Sequence, residues 1–63
     1  MKNHIKEFRN DKGFLQQELA DICGVTRQTV NAIENNKYDP TLELAFKLAT
    51  ALENTVDELF IYE

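Results

Sequence analysis

The sequence predicts an all-α domain built from five short helices, and three observations carry that reading. Apolar residues recur three and four positions apart along most of the chain, the spacing that gives a helix one buried face. Two such patterns meet at a single glycine, Gly24, with almost nothing between them. A capping-box pattern at Thr55 and Glu58 opens a further helix near the end.

Taken in order, the first helix runs from about Asn3 to Lys12, with Ile5 and Phe8 on its inner face and Gly13 placed to end it in a left-handed conformation. The second spans about Gln16–Cys23 and the third about Arg27–Asn35, with Thr26 as the N-cap of the third. Asn35 through Pro40 form a loop in which an asparagine takes the left-handed conformation and Pro40 blocks continuation of the helix. The fourth helix follows Thr41 and is expected to be largely buried, because Leu44, Ala45, Leu48, Ala49 and Leu52 recur at helical spacing. The fifth begins at Thr55, ahead of Leu59 and Phe60. Phe60, Ile61 and Tyr62 then make a β-compatible apolar run. A small core cannot hide all three, so either Phe60 plugs it while the others fray, or the run is a contact between two subunits.

The 63 residues are expected to form one domain, 1–63, near the lower size limit for independent stability, where a partner subunit helps. The single cysteine, Cys23, allows no internal disulfide and points to a reduced, cytoplasmic setting. No apolar run approaches membrane-spanning length, and MKNHIKEFRN lacks the apolar stretch of a signal peptide, so no membrane partner is expected. No sensing domain is expected within this length, and no small-molecule ligand is expected.

The net charge of −4 argues at first against a nucleic-acid partner. Its distribution reverses the point: residues 1–38 carry a net +1, whereas 39–63 hold Lys47 alone against six acids. Those acids serve as a solvated face, and a phosphate-facing surface built from the first 38 residues remains open.

Two short helices joined through Gly24 must cross steeply, the helix-turn-helix solution for presenting one helix to the major groove of DNA. Ala20 is small where the two helices approach, and Gly24 supplies a left-handed turn that is costly for a residue with a Cβ. Leu19, Cys23, Val25, Val30 and Ile33 complete an internal seam, in which Cys23 reads as a small buried hydrophobe. The outer face of the third helix is left with Thr26, Arg27, Gln28, Thr29 and Asn31 near its N-terminal end. Arginine can donate twice to guanine, glutamine or asparagine can pair with adenine, and threonine can meet phosphate or a thymine methyl.

These residues resemble the Cro/CI (Xre-type) helix-turn-helix regulators of bacteria and phages, particularly the compact single-domain members. The resemblance runs from IKEFRNDKG through QQELADICGVTRQTVNAIENNKYDPTLELAFKLATAL to TVDELF. Leu19, Ala20, Cys23, Gly24, Val25, Val30 and Ile33 all match the family's apolar, small and glycine sites. It implies a five-helix lambda-repressor-like domain, to which the run Phe60, Ile61 and Tyr62 is expected to add a short terminal β extension at a dimer interface. Arg27, Gln28 and Asn31 would occupy base-contacting sites, and Gln16 matches the glutamine that meets backbone phosphate. Asn35, Lys37 and Tyr38 would touch phosphates on the other side of the third helix. Arg9 and Glu34 would form a structural salt bridge.

Three positions depart from the family pattern. Leu15 stands where a capping residue is usual, leaving that helix start frayed or capped by solvent. Asn36 replaces a common glycine, and Glu53-Asn54 replaces glycine and an apolar residue, which loosens the connection expected there. Enzymatic function fares poorly, since the only histidine, His4, is read as solvated and no metal, cofactor or nucleophile motif is present. The expected function is a sequence-specific transcriptional regulator, a repressor binding an inverted-repeat operator as a homodimer. The alternative is an antitoxin-like or adaptor domain whose main partner is another protein.

Overall fold

The computed structural model describes residues 1–62; Glu63 lies outside the described residues. Five helices, α1 (Ile5–Asp11), α2 (Gln16–Cys23), α3 (Arg27–Glu34), α4 (Leu42–Ala51) and α5 (Val56–Leu59), are closed by a pair of two-residue strands, β1 (Lys2–Asn3) and β2 (Phe60–Ile61). The strands pair antiparallel, with Lys2 opposite Ile61 and Asn3 opposite Phe60. One core holds the helices together: Ile5, Leu19, Ala20, Val30, Leu48 and Leu59 are fully buried, and Cys23, Ile33 and Leu52 nearly so. Val25 is half-buried at the edge of the seam. Burial pushes the Cys23 thiol up from its ordinary pKa, against a smaller opposite pull from the charge of Lys47. The thiol therefore stays protonated at neutral pH and packs as an apolar group.

The first four helices end alike. In each, a left-handed residue lets two consecutive backbone N–H groups turn back onto carbonyls of the last turn, the Schellman pattern. Phe14 N–H reaches Arg9 O at 3.1 Å, Val25 reaches Ala20 at 3.0 Å, Lys37 reaches Ala32 at 2.9 Å and Asn54 reaches Ala49 at 2.9 Å. The left-handed residues are Gly13, Gly24, Asn36 and Glu53. The connection at Glu53 is therefore tight rather than loose, although glutamate sits there at φ 55°. Lys12 Nζ lies 2.8 Å from the Glu53 carboxylate, and this hydrogen bond, then the lysine charge, holds its pKa below the usual value.

Two helix starts differ from expectation. The N-terminus of α2 is neither frayed nor left to solvent, because the Glu18 carboxylate accepts from Leu15 N–H at 2.8 Å and supplies half of a capping box. The first helix begins at Ile5 rather than Asn3, since Asn3 is drawn into β1. From there its side chain accepts from Ile5 N–H at 3.1 Å and donates to Ile33 O at 2.8 Å. Thr26, Thr41 and Thr55 cap α3, α4 and α5 through their hydroxyls.

Residues 60–61 thus extend into a strand, but the strand's partner is the N-terminus of the same chain. Phe60 and Ile61 are half-buried, whereas Tyr62 is 90% exposed. Helix α4 is less buried than expected. Leu44, Ala45, Leu48 and Ala49 face the core, yet Leu42 and Phe46, four residues apart, form a second apolar stripe that is 70% and 57% exposed.

Candidate nucleic-acid interface

Only Gly24, Val25 and Thr26 separate α2 from α3. The backbone turns at Gly24, where φ is +71°, and Val25 tucks toward the core behind it. A substitution at Gly24 meets no steric obstacle, so glycine is required for its conformation rather than for close approach. Val30 and Ile33 point α3 into the core beside the buried Leu19, Ala20 and Cys23 of α2. Helical periodicity then turns Arg27, Gln28 and Asn31 outward, and all three are exposed.

Thr26 and Thr29 brace the N-terminal turn of α3. Thr29 N–H donates to Thr26 Oγ1 at 3.3 Å, and the two hydroxyls lie 3.1 Å apart. Asn35 closes the other end by donating its amide to Asn31 O at 2.9 Å and to Asn31 Oδ1 at 3.2 Å. One asparagine expected to meet phosphate thus orients another expected to meet a base. Arg27 and Gln28 have no side-chain hydrogen bond or ion pair among the described residues and leave their full donor sets to solvent. Lys37 and Tyr38 are exposed just beyond α3, whereas Ala32 is half-buried and carries no polar group.

The only acid on α3 is turned away from this face. Glu34 receives Arg9 Nε at 2.7 Å and Nη2 at 3.2 Å, while Arg9 Nη1 donates to Phe14 O at 2.8 Å. The Arg9 and Glu34 side chains are 10% and 3% exposed. Their pair ties α1, the α1–α2 loop and the end of α3 together. Gln16, at the start of α2, donates its amide to the same carboxylate at 3.1 Å. This link joins residues 18 apart and was not read from the sequence. Its signal was present only as a donor and an acceptor type with no pattern connecting them.

His4 is exposed, 3.8 Å from the Glu7 carboxylate and edge-on to the Phe8 ring. Among the described residues no group of three or more histidine, cysteine, aspartate or glutamate side chains is placed to hold a metal ion. No helix there is long and apolar enough to cross a membrane.

Known proteins share this arrangement. A family model described as helix-turn-helix matches residues 5–59. The chain is 48% identical over 63 residues to an uncharacterized HTH-type transcriptional regulator of Methanocaldococcus jannaschii, a match covering all of this chain and 96% of that protein. Among solved structures it is similar to the restriction-modification controller protein C.AhdI from Aeromonas hydrophila, with a TM-score of 0.84 and 37% identity over 90% of this chain and 86% of that one. It is similar also to the biofilm master regulator SinR, solved in complex with DNA, with a TM-score of 0.78 and 31% identity over 84% of this chain and 86% of that one. The chain belongs to the Cro/CI (Xre-type) helix-turn-helix family, a family of DNA-binding transcriptional regulators rather than of enzymes.

Proposed function

We propose that the chain is a cytoplasmic, homodimeric repressor that occupies an inverted-repeat operator and excludes polymerase, with residues 26–35 in the major groove. The observation that carries this reading is the outward face of α3, where Arg27 and Gln28 stand exposed, without a side-chain partner among the described residues, on a helix braced at both ends. Arg27 reads guanine O6 and N7, Gln28 and Asn31 read adenine, and Thr26 and Thr29 meet phosphate or a thymine methyl. Gln16 on one side of the helix, and Asn35, Lys37 and Tyr38 on the other, hold it in register through phosphates. The acid that would repel DNA here, Glu34, is neutralised by Arg9.

The second copy docks on the face bearing Tyr62. Met1, Leu42, Phe46 and Tyr62 are exposed there, with Val56 and Phe60 half-buried between them. The strand β2 pairs with β1 of its own chain, and the contact between copies rests on the side chains of this face. A two-fold axis through it sets two α3 helices about 34 Å apart, one turn of the duplex.

Selection of bound duplexes from a random pool tests the reading. An inverted repeat with half-sites about one helical turn apart is the expected result. A pool without an enriched sequence, or one enriched only when a second protein is added, overturns it.

A further inference from the structure

Resting on the proposal that Gln16 meets a backbone phosphate, we infer that Glu34 is a positioning residue for that contact. A glutamine side chain can present either its oxygen or its nitrogen, and only the nitrogen end can donate to a phosphate. The Glu34 carboxylate, like a phosphate, only accepts. By taking one N–H of Gln16 at 3.1 Å it fixes which end of the amide faces inward and leaves the second N–H to donate. The rotamer is thus ordered before DNA arrives, so that entropy is not lost on binding.

Glu34 can do this because it is itself immobile. Its side chain is 3% exposed and its carboxylate gripped by two nitrogens of Arg9, which also cancel the charge that would otherwise repel the incoming phosphate. Arg9 in turn is pinned to Phe14 O at 2.8 Å, in the loop that leads into α2. The carboxylate sits at the last residue of α3 and the amide at the first residue of α2. One hydrogen bond therefore couples the end of the reading helix to the start of the helix that flanks it.

The test uses the duplex selected above, with single neutral methylphosphonates placed at each backbone position. Wild-type protein loses affinity about fivefold at each phosphate it contacts, and Gln16→Ala abolishes the loss at one of those positions per half-site. The double variant Arg9→Met/Glu34→Met, which leaves no charge stranded, abolishes it too while remaining folded. A folded double variant with the wild-type pattern overturns the role of Glu34 alone. A pattern indifferent to Gln16→Ala overturns the phosphate contact beneath it, and the inference with it. Should the double variant not fold, the side-chain amide of Gln16 in the free wild-type protein decides by NMR. An order parameter matching the backbone is expected, and one of a freely rotating amide contradicts the inference.

Discussion

Glu34→Ala is expected to lower the unfolding free energy by about 3 kcal/mol, the loss typical of breaking a buried pair. Arg9 would be left with 10% exposure and only Phe14 O to meet its charge, and Gln16 would lose its acceptor. A domain of this length holds roughly 3–9 kcal/mol in total, so the variant would be close to unfolding at 37 °C. Arg9→Met/Glu34→Met should recover most of the loss, since matched apolar side chains leave no charge uncompensated. Lys12 and Glu53 form an ion pair of similar length, 2.8 Å, but in water, with 76% of the glutamate side chain exposed; such a pair adds little. Urea and thermal unfolding of the three proteins measure this directly. A Glu34→Ala protein within about 0.5 kcal/mol of wild type would show that the pair does not hold α1 to α3.

Phe46→Glu is expected to separate the dimer and to weaken binding to an inverted repeat by about a hundredfold. With its side chain 57% exposed, Phe46 can be replaced at little expense to the monomer's core. In the proposed dimer, a carboxylate would sit on the two-fold face beside Leu42 and Tyr62, desolvated and opposite its own copy. A monomer that must bind two half-sites separately forfeits the effective concentration that links them, worth about 10²–10⁴ in affinity. Sedimentation measures the first effect and titration of the selected duplex the second. A dimer with wild-type affinity would place the interface on another face.

Most helix boundaries were legible because they rest on local chemistry. Thr26 and Thr55 announce caps, and Gly13, Gly24 and an asparagine announce left-handed turns, each from a few neighbouring residues. Glu53 takes the same conformation without the usual residue type, held by the rest of the Schellman pattern. Leu15 misled similarly, because the cap of α2 comes from Glu18 and not from position 15 itself.

The remaining surprises depend on pairings distant in sequence. Asn3 reads as the start of a helix until Phe60 claims it for a strand, and a strand of two residues has no periodicity to detect. In α4 the stripe of Leu44, Ala45, Leu48 and Ala49 masked a second one, Leu42 and Phe46, that the core cannot reach. Of the candidate site, the polar set on α3 was legible from helical spacing, whereas the link from Gln16 to Glu34 needed the crossing angle of the two helices to bring donor and acceptor together.

The central claim is that the outward face of α3 reads bases, and the base-preference profiles of wild type, Arg27→Ala, Gln28→Ala and Lys37→Ala test it most directly. Arg27→Ala and Gln28→Ala should each cost about 1–3 kcal/mol and relax preference at one position per half-site. Lys37→Ala should weaken all sequences alike and reduce the salt slope by about 1. Uniform weakening by the Arg27 and Gln28 variants, with every base preference intact, would contradict the claim.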